Sequence, residues 1–148
     1  MKAVTVHNPW AWAIIHGGKD VENRSWFTRH RGPLLIHAGK TWSTAGASSF
    51  MVKNAFERAG AVLHYPLFEA GGVALGVVDL VDCIEDAEPP WAMPGHWHWV
   101  LANPRPLIEP LPMRGAQQLW EVPAATPIRV AGLPDPSSRH SSTTRSTT

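Results

Sequence analysis

The alternation of apolar and polar positions divides the chain into short elements. Residues 2–6, KAVTV, read as a strand. NPWAWAIIHGG then reads as a helix of about two turns, with Asn8 as N-cap, Pro9 at the first helical position and Gly17 at the exit. Helical spacing groups Trp10, Ala11, Ile14 and Ile15 on one side and leaves Trp12 and His16 on the other. Residues 20–26, DVENRSW, and 33–38, PLLIHA, read as strands separated by the turn TRHRG. TAGASSFMVKNAFERAG predicts one longer helix, with Ala47, Met51, Ala55 and Ala59 in a row suited to close packing on a sheet, Val52 and Phe56 beside it, and Gly60 as its stop.

Further along, GGVALGVVDLVDCIE is apolar on both faces until Asp79, the pattern of a central strand covered on both sides, and Gly76 inside it marks a bulge or bend. HWHWVLAN alternates, with Trp97, Trp99 and Leu101 on one face and His96, His98 and Val100 on the other. LWEVP closes the patterned part. Eleven of the 14 prolines lie at or beyond Pro89, so the connections there are expected to be extended. These elements predict an α+β, mainly β domain, a curled sheet or small β-barrel with one short N-terminal helix and one longer helix packed on it. Residues 1–123 are the expected domain, and 124–148, which end in SSRHSSTTRSTT, are the expected disordered Ser/Thr/Pro-rich tail.

Composition narrows the functional classes. No apolar run approaches the roughly 18 residues of a membrane span, so the chain reads as soluble, with no membrane partner. MKAVTVHNPW holds no apolar stretch of signal-peptide length, and Cys83 is the sole cysteine, which together make a reducing cytoplasm the expected location. The net charge of +1 conceals a division: residues 1–58 carry eight Lys/Arg against three Asp/Glu, whereas residues 59–123 carry two against eight. A basic half suits an anionic partner, and the two oppositely charged halves suit docking to another protein.

The densest chemistry lies in HGGKDVENRSW. As a strand, residues 20–26 place Asp20, Glu22, Arg24 and Trp26 on one face, which no ordinary core strand does; an exposed edge strand with solvated charges is the plain alternative. Lys19, Glu22 and Arg24 supply an ammonium, a carboxylate and a planar guanidinium within one strand length, beside the glycine pair that begins at Gly17. Arg24 and Lys19 are expected to hold an anionic or carbonyl oxygen, Glu22 to accept from an amino or hydroxyl group, and Trp10 or Trp26 to stack a base. His37 and Lys40 of IHAGK, at the end of a strand, are further candidate ligand contacts, against a plain hydrogen-bonded loop. Trp99 and Trp120 read as structural, sitting among aliphatic strand residues, while Trp12 and Trp97 stay open between core and stacking. Arg29, His30 and Arg31 form a basic turn that could clamp a nucleic-acid backbone, a solvated loop being the more frequent outcome of such a run. His96 and His98 share a face but lack a third ligand at a convincing spacing, so neither metal nor cofactor is expected.

NPWAWAIIHGGKDVENRSW resembles the N-terminal signature of the ASCH domain family, whose Gly-x-Lys-x-x-Glu-x-Arg pattern is matched by Gly17, Lys19, Glu22 and Arg24. RGPLLIHAGK, GGVALGVVDLVDC, WVLANPRPL and RGAQQLWEVP are similar to later stretches of that family in the same order, and the likeness covers about residues 3–123, as in a small stand-alone bacterial or phage-type member. The resemblance implies a PUA-like β-barrel with a cleft lined by the motif residues and an RNA or nucleotide-like ligand. It also implies an alternative, a hydrolase acting on a modified nucleoside, in the manner of an N4-acylcytidine amidohydrolase, or on RNA as a ribonuclease. In that alternative Lys19 and Glu22 are the catalytic pair, the carboxylate as base and the ammonium as electrostatic stabiliser. The amidohydrolase type has a threonine three residues after its lysine; here that place is Glu22.

Overall fold

The apolar stretches become the strands of one sheet in the structure, a computed structural model that describes residues 1–60 and 71–132. In chain order the elements are β1 (Lys2–Asn8), α1 (Trp10–His16), β2 (Val21–Arg24), β3 (Gly32–Trp42), α2 (Thr44–Ser48), α3 (Phe50–Arg58), β4 (Val73–Ile84), β5 (Trp97–Pro112) and β6 (Leu119–Glu121). The six strands lie in the order β2-β5-β4-β3-β1-β6. Only the β1–β3 pair is parallel; every other neighbouring pair is antiparallel. The expected α+β, mainly β class therefore holds, with one correction. The sheet is not closed into a barrel: β2 and β6 are its two ends in the strand order.

Helix α1 lies where the sequence pattern puts it, with a shifted start. Pro9 is the cap position and Asn8 stands one residue outside, yet the Asn8 Oδ1 still accepts a hydrogen bond from the Trp12 N–H at 3.1 Å. Ile14 and Ile15 drop into a core built with Val4, Val6, Leu34, Ile36, Leu80 and Trp99. Burial of these branched side chains is the main force fixing the helix on the sheet, at about 25 cal/mol per Å² of apolar surface removed from water. Where α1 crosses β4 there is no room for a side chain: a Cβ on Gly76 would stand 2.6 Å from the Arg105 carbonyl oxygen and 2.8 Å from Ile15 Cδ1. The β3–β4 and β4–β5 registers both slip beside this glycine.

The single helix expected over residues 44–60 is two helices. Ser49 between them is extended, with φ −68° and ψ 125°, and its side chain accepts from Val52 N–H, so it caps α3. A serine that can cap a new start competes with one that continues the helix, and here the cap wins. Of the expected row α3 buries Ala55, with Val52 and Phe56 beside it as the pattern predicts, and it packs with α1. Val52, Ala55 and Phe56 cluster with Trp12 and Ala13 of α1, Val21 and Trp91, and the Trp12 and Phe56 rings stack at 3.8 Å.

Past the expected domain end at residue 123 the chain stays attached. Ile108 N–H donates to the Arg129 carbonyl and Ala131 N–H to that of Pro106. The Ser/Thr-rich stretch from residue 133 lies outside the described residues. No helix among the described residues is long and apolar enough to cross a membrane.

Candidate functional site

Strand β2 is only four residues long, so the charged row is shorter than the expected strand over 20–26. Its antiparallel pairing with β5 sets Glu22 opposite Trp99 and Arg24 opposite Trp97. Alternation turns Glu22 and Arg24 to one side, and Lys19, from the turn leaving α1, comes up to meet them. The Glu22 carboxylate bridges the two cations, Oε1 to Lys19 Nζ at 3.2 Å and Oε2 to Arg24 Nη2 at 3.0 Å. Lys19 Nζ also donates to the Val21 carbonyl, and Arg24 Nη2 donates to the Thr5 carbonyl at 2.7 Å.

Exposure separates the roles of the three. Lys19 is 4% exposed and Glu22 8%, so the pair is largely withdrawn from water. The Arg24 side chain is 22% exposed, the most accessible of the three. Its Nε is buried without a hydrogen-bond partner, and its guanidinium carbon stands 5.9 Å from the Trp99 ring. Two positive charges against one negative leave the row net positive.

These groups line a cavity of about 440 Å³. Its floor is Thr5, Val6 and His7 of β1 with the charged row; one wall is Trp10, Ala45, Ser49 and Met51, the other Pro90, Trp91 and Met93. The Trp10 indole is held edge-on to α2, its Nε1 donating to the Ser43 hydroxyl at 3.0 Å, while that same oxygen caps α2 by accepting from Gly46 N–H. Lys19 Nζ stands 5.7 Å from the Trp10 ring centroid, a cation–π distance that ties the wall to the charged floor. The opposite wall is pinned by Asn23, whose Nδ2 donates to the Trp91 carbonyl at 3.0 Å and whose Oδ1 accepts from Met93 N–H at 2.8 Å.

The expected site residues are thus divided. Trp10, Lys19, Glu22 and Arg24 line one cavity. Gly17 is on the far side of the motif, its N–H donating to Ala13 O at the end of α1, and it borders a different hollow with His16 and Arg58. Trp26 lies beyond β2 and packs edge-on against Trp99 at 4.8 Å, its carbonyl accepting from Trp99 Nε1. His37 and Lys40 border another hollow across β1. His98 organises the loop before β5: Nδ1 accepts from Ala87 N–H and Nε2 bonds to the Met93 carbonyl. Among the described residues no group of three His, Cys, Asp or Glu is arranged to hold a metal.

Trp91 and Met93 belong to the cavity although they are about 70 residues distant from the motif in the chain. Only PPWAMPG, a tryptophan between prolines, hinted at them, because a Pro-rich loop carries no periodicity that fixes where it folds back.

The chain is 31% identical over 127 residues to activating signal cointegrator 1 of Mus musculus, and equally to that of Homo sapiens, covering 80% of this chain and 22% of each relative. It therefore spans about a fifth of the length of these relatives. The ASCH domain model matches residues 4–111, which include the charged row, its tryptophan wall and most of the sheet. The chain belongs to the ASCH domain family, whose PUA-like members are associated with RNA binding.

Proposed function

We propose that this protein binds single-stranded RNA, or a nucleotide within it, in the cavity between Trp10 and the Trp91–Met93 loop. The observation that carries the reading is the convergence of an accessible guanidinium, anchored by Glu22 and the Thr5 carbonyl, with a clamped indole on one 440 Å³ cavity. A planar cation pre-set by two partners loses little freedom when it donates to a phosphate or a base carbonyl. An indole already fixed by Ser43 offers a stacking surface, worth about 1–3 kcal/mol per base and indifferent to which base. The unpaired, solvent-exposed bases of single-stranded RNA are the substrate class that uses both.

Binding is favoured over the hydrolase alternative by the state of the carboxylate. Both Glu22 oxygens are occupied by cations, which supports a holding role rather than proton abstraction. Titration of labelled short single-stranded RNA tests the reading. Arg24→Ala and Trp10→Ala are each expected to weaken binding about tenfold, within the energies above. Affinity should also fall as salt rises, with a slope of about −0.7 per phosphate contacted. Unchanged affinity in both variants would overturn the proposal, and product formation from acylated cytidines or RNA that vanishes in Glu22→Ala would replace it with the hydrolase.

A further inference from the structure

A second hollow, of about 600 Å³, adjoins the first across β1. Thr5 lines both. The β1–β3 register sets Thr5 beside His37 and His7 beside Gly39; His7 faces the first cavity and Gly39 the second, so the two floors meet along this pair of strands. The second hollow carries two exposed cations, Lys40 and Arg114, and no acidic side chain. Among the described residues neither has a salt bridge, as is also true of Arg29, Lys53, Arg58 and Arg129; Lys40 and Arg114 differ in lining one hollow together. Two unneutralised cations at one concave site are a provision for an anion from outside the chain.

The walls of this hollow are fixed before any ligand arrives. The His37 ring is held at both nitrogens, Nδ1 by the Thr5 hydroxyl at 3.1 Å and Nε2 by the Met113 carbonyl at 2.8 Å. It therefore secures the segment that carries Arg114 and is not itself presented to a ligand. Gly115 has no side chain for a steric reason: a Cβ there would come within 2.6 Å of His37 Cε1 and 2.8 Å of the Thr5 hydroxyl.

We infer that the second hollow receives a backbone phosphate of the same RNA strand whose base occupies the first, so that the protein recognises a strand of several nucleotides and not an isolated nucleoside. This rests on the reading given under Proposed function. Lys40 and Arg114 act as the phosphate contacts, and Thr5 is the ridge that the strand crosses between base and phosphate.

The test compares the four nucleosides with the four homotetranucleotides, measured by calorimetry over a series of matched salt concentrations on wild type, the Lys40→Ala/Arg114→Ala double variant and Arg24→Ala. Both cations are exposed, so the double variant should melt with the wild type. The tetranucleotide is expected to bind at least tenfold tighter than its nucleoside, with most of that gain lost in the double variant and the salt slope reduced by about 0.7, for the one phosphate contacted. A gain retained in full by the double variant overturns the second site; if Arg24→Ala then still weakens every ligand, the first cavity stands alone as the binding site. A tetranucleotide no tighter than its nucleoside also overturns it. Absence of binding by any of these ligands overturns both readings together.

Discussion

Glu22 is the residue on which the charged row depends. Two cations sit on one nearly buried carboxylate, and replacing it by the amide leaves them facing each other with no counter-charge. Removing one partner of a buried ion pair costs about 3 kcal/mol or more. Glu22→Gln is expected to lower unfolding stability in urea by about that amount and to weaken RNA binding as Arg24 loses its anchor. Asp79 predicts a different, acid-dependent effect. Arg105, donating to Asp79 Oδ1 at 2.9 Å, holds the carboxyl below its ordinary value of 3.8; burial opposes this, and Asn103 adds to it. The unfolded chain therefore takes up this proton at higher pH than the folded one. The pair's contribution is present above pH 3.8 and is lost as pH falls through the lower folded value. Partial exposure keeps it below about 1 kcal/mol. Urea midpoints at pH 6 and pH 2.5 should converge slightly in Asp79→Asn relative to wild type. At this scale the motif was legible: Lys19, Glu22 and Arg24 stand together as their spacing suggested. Which of them meets water was not, because burial is set by what folds over Lys19 and by no feature of the motif itself.

At the scale of elements, α1 and the apolar parts of the strands were readable because their periodicity is local; the second half of β5, residues 104–112, was not, because its four prolines read as loop. The break at Ser49 was hidden, since SS within TAGASSF is compatible with either a continuing helix or a new cap, and the packing of Val52 and Phe56 against Trp12 decides it. Openness of the sheet was equally hidden, because alternation in a strand is the same in a barrel and in a curled sheet. The second cavity wall is an element of this concealed kind, a loop attached to edge strand β2 through one amide side chain. Asn23→Ala removes both of its hydrogen bonds and should cost about 1–2 kcal/mol of stability. Hydrogen exchange at the Met93 amide, which donates to Asn23 Oδ1, is expected to accelerate. Affinity for RNA should fall while the Trp10 wall stays in place.

For the whole molecule, the division of charge read from the sequence is partly internal. Arg31 approaches Asp82 at 3.7 Å and donates to the Thr28 and His30 carbonyls, and Arg105 is taken by Asp79. The basic turn at residues 29–31 precedes the start of β3, whereas Lys40 lies near its far end, roughly 25 Å away at the rise of an extended strand. Arg29→Ala/Arg31→Ala is accordingly expected to leave RNA affinity within about twofold at matched salt; a larger loss would point to a footprint extending to that end of the sheet. Thr5 has a consequence of another kind. Its carbonyl accepts from the guanidinium on one side and its hydroxyl touches the imidazole on the other, so on the proposed two-site reading the gap between the recesses acts as a ruler. A molecule whose ring and negative group match that interval fills both at once, and one of any other length must choose.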